Sequence, residues 1–403
     1  MNGRRRGTTL AACLAGVANQ AVITNVTALL FVPFSRLYGF SLAQLGVLTA
    51  VNFAAQMCAD LFLLFFIDRL SYKGMALFAA ALSAGGLLFY GAVPVLFSGG
   101  AVYGGIAAAT AVFAFSGGML EIVLSGAAER LPRGSPVSIC LLHTAYAWAQ
   151  AALALLLFGF VFVCGAEHWN ISVMALAAVP VLAFILLLRA DLGPPAHGKA
   201  RRKRGSNRLP SAFFLLAVAA IFFGHGSEVT MNQWISTLFS ETAGETGYAG
   251  EFIGAALFAA FLGAGGIFYV RISAKGDFPL PVLVFSGLLT FLCYLAVSAG
   301  GGPLAFAAAA ACGLFVGVLS PGIMTASGEN LPRTGGRMLA SLAVAADMGA
   351  AALPAAAGAL SEITGFGGAF RILSAAPLCC ALAAAAMVRL GRPPRRCLRK
   401  MKM

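Results

Sequence analysis

Charge is what this sequence has least of. Asp, Glu, Lys and Arg make up only 10% of its 403 residues, just 14 of them are acids, and 60% of the chain is hydrophobic. A soluble protein of this length could not bury so much apolar surface, which excludes a string of ordinary globular domains. Four histidines and nine cysteines without a CxxC pair give no metal-ligand spacing and no disulfide framework. There is no GxxxxGK[ST] loop and no set of residues at the spacing of a nucleophile triad, so neither a nucleotide-driven pump nor a hydrolase is expected. The chain is therefore expected to be no enzyme and to need no cofactor.

What is present is long apolar runs. A helix needs about 20 residues to cross roughly 30 Å of hydrocarbon. That ruler predicts spans near 8–34, 42–67, 75–97, 102–127, 137–164, 171–190, 211–239, 248–270, 279–299, 303–327, 337–360 and 368–390. Arg4, Arg5 and Arg6 followed by an apolar run give the N-terminus the look of a signal peptide, but the run is too long, and an uncleaved first span is expected. Twelve crossings put both termini on one side. If that side is the cytoplasm, 25 of the 27 basic residues lie inside and only Arg36 and Arg371 outside, the asymmetry that orients membrane proteins. The net charge of +13 thus points to lipid headgroups rather than to nucleic acid. The expected setting is the inner (cell) membrane, multi-pass, as a monomer with cytoplasmic termini. A polar, basic, Pro-bearing segment at 191–210 divides the chain into an N-terminal unit of six spans, 1–190, and a C-terminal unit of six spans, 211–403.

The two units carry a repeat. Glu129-Arg130-Leu131-Pro132-Arg133 after span 4 matches Glu329-Asn330-Leu331-Pro332-Arg333 after span 10, and Asp68-Arg69 with Lys73 after span 2 matches Val270-Arg271 with Lys275 after span 8. These residues make the chain similar, over essentially its whole length, to the major facilitator superfamily, whose loop 2–3 signature runs Gly-x-x-x-Asp-Arg-x-Gly-Arg-Lys. Leu64 and Ser71 stand at its two glycine positions, and Val270 replaces the acid of the second copy. The resemblance implies an all-α membrane fold of twelve transmembrane helices in two pseudo-symmetric six-helix bundles. It also implies that Asp68, Arg69, Lys73, Arg271 and Lys275 form a cytoplasmic gate.

An acid at membrane depth costs several kcal/mol unless it is paired, protonated or wet, so each is a functional candidate. Four fall inside spans, Asp60, Glu121, Glu228 and Asp347, with no Lys or Arg at the same depth, which makes protonation their cheapest relief. In span 7, Gly224, Glu228 and Asn232 recur every four residues, with His225 and Trp234 beside them, offering an acid, an amide and an aromatic plane to a hydroxyl-rich solute. Span 1 offers Asn19, Gln20, Thr24 and Asn25. Span 2 carries a polar stripe of Asn52, Gln56 and Asp60, and span 5 one of His143, Tyr146 and Gln150; Asn52, Gln56, Tyr146 and Gln150 read first as interhelical scaffolding.

Gly226-Ser-Glu228-Val-Thr-Met-Asn-Gln-Trp234, Gly117-Gly118-Met-Leu-Glu121 and Asp347 through Pro354 to Gly358 resemble the seventh, fourth and eleventh helices of the superfamily's fucose–proton symporter branch. The resemblance implies that Glu121 carries the coupling proton, and Asp60 and Asp347 are further proton-coupling candidates. Glu228, Asn232, Trp234, His225, Gln20, Asn25 and His143 are the expected solute contacts. The branch has a sugar-binding Asp in span 1 that this chain lacks. The expected partners are therefore protons, membrane lipid and a small polar solute such as a sugar. A proton-driven drug or metabolite exporter is the alternative, although the glycine-rich Gly-Pro run of such antiporters is absent from Leu141 to Cys164.

Overall fold

The computed structural model describes residues 3–66, 70–128, 135–192, 212–242, 249–273, 280–300, 302–331 and 335–391. Among them no strand occurs, and the chain runs through α1 (Gly3–Leu29), α2 (Phe31–Tyr38), α3 (Leu42–Phe66), α4 (Tyr72–Leu96), α5 (Ala101–Ala128), α6 (Ser135–Cys164), α7 (Trp169–Leu176), α8 (Ala178–Arg189), α9 (Ala212–Thr242), α10 (Ala249–Ser273), α11 (Pro281–Ser298), α12 (Pro303–Asn330), α13 (Gly335–Leu373) and α14 (Ala375–Leu390). Among the described residues eleven segments are long and apolar enough to cross a membrane; the first ten follow the predicted spans in order, and the eleventh covers the last two. The last of them, Ala340–Leu390, has 51 residues, which as one straight helix would be about 75 Å long. It bends instead at Gly365, whose φ of 70° and ψ of 168° lie outside the helical region and favour a residue without Cβ.

Three spans are each broken in a way the apolar pattern does not show. Leu30, Ala177 and Ser374 interrupt their helices, and each is followed three residues later by a proline: Pro33, Pro180 and Pro377. A proline ring lacks an N–H and collides with the carbonyl four residues back, here Leu29, Leu176 and Leu373, the last residues of the helices that end there. Helix ends follow familiar chemistry. The Ser71 side chain accepts a hydrogen bond from the Gly74 N–H at 3.0 Å to start α4, and Gly39 closes α2 in the left-handed conformation.

The packing is regular. In the first half α1 lies against α5, α6 and α8, and α5 against α3 and α4, with α4 also touching α7 and α8. In the second half α9 lies against α12, α13 and α14, and α12 against α10 and α11, with α11 also touching α14. The same neighbours recur when every span is advanced by six. Between the halves run two extensive seams, α3 on α13 and α6 on α10, with a lighter contact of α1 on α9.

At the end that the basic residues place outside, the halves are joined. The Glu362 carboxylate accepts the Ala43 N–H at 2.9 Å, and the Arg36 guanidinium donates to the Ser240 hydroxyl at 3.2 Å. Gly46 packs on the backbone of Pro354 and Ala355, and Gly358 on the Leu42 carbonyl and the Trp234 ring. Toward the other end, Glu121 and His143 are exposed.

Candidate functional site

Midway along the helices, amides from both halves meet. Asn25 of α1 donates to the Tyr146 hydroxyl of α6 at 2.9 Å and accepts from Asn232 of α9 at 2.8 Å. Gln150 of α6 donates to the Asn232 carbonyl oxygen, and Gln233 reaches Asn25 Oδ1 at 3.5 Å. Beside this network lies a very small cavity of about 10 Å³, at the size limit for a single water molecule. Its polar lining is Asn25, Gln150, Asn232 and Ser236, its apolar lining Ala28, Leu29, Ala154 and Ala255, so both halves contribute and no charged group does.

The acids surround this centre without lining it. Gln20 of α1 donates to Glu121 Oε2 at 2.9 Å in an exposed position. His225 Nδ1 lies 3.4 Å from Glu228 Oε2 and 3.2 Å from the Ser320 hydroxyl, which itself donates to Glu228 at 3.3 Å, closing a three-residue cluster between α9 and α12. Tyr146 lies within electrostatic reach of both Glu121 and Glu228. Asp60 of α3 and Asp347 of α13 lie within electrostatic reach of each other across the α3–α13 seam, and each has a buried carboxyl oxygen with no hydrogen-bond partner. Among the described residues no Lys or Arg pairs with any of the four acids; the sole basic partner is His225.

The expected solute contacts divide accordingly. The structure brings Asn25 and Asn232 to the cavity, sets Glu228 and His225 one layer away, and leaves Gln20 with Glu121 and His143 on the open side. Trp234 is not brought to it. Its ring is fully buried between Phe31 and Phe366, at centroid distances of 5.2 and 5.7 Å, and its Nε1 donates to the Pro354 carbonyl at 3.0 Å. Residues two apart on a helix differ by about 200° in direction, so Asn232 and Trp234 cannot serve one face. Gln150 and Tyr146, read first as interhelical scaffolding, do make interhelical hydrogen bonds, and they make them at this centre, where Gln150 also lines the cavity. Gln233 and Ser320 were not singled out in the sequence at all; their pairing is visible only once helices far apart in the chain are adjacent. Asn52 and Gln56 do hold the bundle, Asn52 donating to the Ile23 carbonyl at 3.0 Å and Gln56 to Asn52 at 2.6 Å.

Of the expected gate residues, Asp68, Arg69 and Lys275 lie outside the described residues, as do Glu129 to Arg133 of the repeat. Lys73 donates to the Leu188 carbonyl at 2.7 Å, a contact within the first half, and Arg271 is exposed.

No family model and no curated protein matches the sequence. Solved structures do match over nearly the whole chain. The major facilitator superfamily transporter FucP in its outward conformation, known from another structure as the fucose:proton symporter of E. coli, aligns with a TM-score of 0.65 and 17% identity, covering 94% of this chain and 98% of that one. The xylose transporter XylE from E. coli, inward open, aligns at 0.74 with 12% identity and 96% of each chain. A mutant of the nucleoside transporter NupG aligns at 0.72 with 13% identity, over 95% and 99%. The chain therefore has the fold of major facilitator transporters.

Proposed function

We propose that this chain is a secondary transporter that couples inward proton flow to uptake of a small, uncharged, polar solute such as a sugar. On this reading it crosses the inner membrane twelve times, the Gly365 bend dividing the last 51-residue segment into two crossings. Two six-helix bundles, 1–190 and 211–403, are joined by a cytoplasmic linker at 191–210, and both termini are cytoplasmic. The recurrence of helix neighbours after six spans supports the two bundles. Fold neighbours whose names are fucose:proton symporter, xylose transporter and nucleoside transporter support a hydroxyl-bearing cargo.

The observation that carries the reading is the amide network shared by the two halves at an uncharged cavity, with acids one layer out that no described Lys or Arg pairs. Asn25, Gln150 and Asn232 bond to one another, and Gln150 Oε1 is left without a partner. A solute with several hydroxyls exchanges those bonds for its own at small net cost, while an ionic solute would find no counter-charge. With the outer ends joined and Glu121 and His143 exposed, the conformation is one that faces the cytoplasm. Glu121, on the open side and held only by Gln20, is the group that exchanges its proton with that water.

Uptake into proteoliposomes under an imposed pH gradient, acid outside, tests this. Sugars should accumulate against their gradient, and the rate should fall as the outer pH rises and carboxyl loading fails. Glu121→Gln should abolish accumulation while retaining solute exchange down a gradient; accumulation by that variant at the wild-type level refutes the assignment.

A further inference from the structure

The α3–α13 seam is an antiparallel ladder with a clear end. From outside inward it passes the Ala43 N–H on Glu362, Gly46 on Pro354 and Ala355, and the apolar contact of Phe53 with Val229 and Ala350, and reaches Asp60 opposite Asp347. Six residues further on α3 stops at Phe66, with Leu61, Phe62, Phe65 and Phe66 all exposed. Two acids thus occupy the innermost described rung of the contact between the halves.

One oxygen of each carboxyl is shut off from other partners. Asp60 Oδ1 and Asp347 Oδ2 are buried without a hydrogen-bond partner. The close approach of α5, where a Cβ on Gly118 would stand 3.1 Å from Asp60 Oδ1 and 2.5 Å from the Gln56 carbonyl, leaves no room for a side chain to serve them. The charged groups acting on the pair are Glu121 from α5 and His225 from α9. On α1, α12 and α14 the charged residues are confined to the ends, Arg4 to Arg6, Glu329 and Arg389, and α11 has none. Two neighbouring carboxylates with buried, unpartnered oxygens repel each other, and a proton on one of them relieves the repulsion and lets the pair share a hydrogen bond.

We infer that Asp60 and Asp347 form one proton-binding site, a carboxyl pair that holds a single shared proton and can close the seam between the halves only while it does so. The site deepens the proton-coupled reading and rests on it for its role in transport. When the O–H bond breaks, the proton passes to water on the open side, past Glu121, and the two carboxylates left behind push α3 from α13. Occupancy of the pair is thereby tied to the distance between the bundles, which no acid confined to one bundle achieves.

The test needs no solute, so it can fail or succeed independently of the transport reading. The full chain in lipid nanodiscs is titrated with pH while the infrared stretch of protonated carboxyl groups is followed. At neutral pH the wild type should show a protonated-carboxyl band that is lost in both Asp60→Asn and Asp347→Asn and kept in Glu121→Gln. In parallel, the distance between spectroscopic labels at the inner ends of α3 and α13 should lengthen as the band is titrated away. The Asp60→Asn/Asp347→Asn double variant, neutral and of equal size, should keep the short distance at every pH, which also shows that the substitutions fold. Absence of the band in the wild type, its survival in both single variants, or a distance indifferent to pH would overturn the inference.

Discussion

At the scale of single residues, the proposed function separates groups that touch cargo from groups that hold helices, and substitution should separate them too. Asn232→Ala and Gln150→Ala each remove one neutral hydrogen-bonding side chain from the cavity wall, worth about 1 kcal/mol, so the KM of uptake should rise roughly fivefold or more with little loss of thermal stability. Trp234→Phe should do the reverse. It keeps the ring between Phe31 and Phe366 but strands the Pro354 carbonyl, lowering stability by about 1 kcal/mol in thermal unfolding while KM stays put. The difference reflects what a sequence can tell. Three-residue spacing set His225 beside Glu228, and the two lie 3.4 Å apart, because that relation is local to one helix. Trp234 looked like part of the same patch through mere nearness along the chain. Gln150 lies 82 residues from Asn232, and nothing in either segment announces the other.

At the scale of elements, the positions of the spans were legible, since crossing a bilayer demands a length and an apolar composition that few other structures share. Their breaks were less so. Pro33, Pro180 and Pro377 each end a helix, whereas Pro94, Pro321 and Pro354 sit inside one, and only packing around the freed carbonyl decides between these outcomes. Pro180 and Pro377 fall at corresponding places in the sixth span and in the closing part of the last segment, a second repeat that motif matching in loops had missed. Glycines inside spans divide just as sharply. A Cβ on Gly349 would drive into the Phe222 carbonyl where α13 crosses α9, while one on Gly104 meets nothing within 4 Å. Gly349→Ala should therefore cost about 1–3 kcal/mol through forced separation of the two helices, and Gly104→Ala should be silent; melting of the purified variants in detergent checks both.

For the whole molecule, the paired halves imply a cycle in which the joined end must part. Every contact that seals the outer end, Ala43 with Glu362, Arg36 with Ser240, Gly46 with Ala355 and Gly358 with Leu42, links the first half to the second, so none can persist when the cavity opens outward. The repeats and basic loops of the sequence predict a two-fold organisation, yet give no hint of which end is closed, because that difference lies in contacts between distant helices. A covalent bridge makes the expectation testable. Ala43→Cys with Glu362→Cys, joined by a short thiol-specific crosslinker that reductant can cleave, should trap the inward-facing form. Uptake should then fall to background and return on cleavage, while each single variant treated alike keeps transporting. Solute binding measured from the cytoplasmic side should survive the crosslink, since on the proposed reading the inward-facing form presents the amides to that side. Uptake that continues with the bridge intact would mean that the seam does not part during transport, and the rocking of two halves would have to be abandoned.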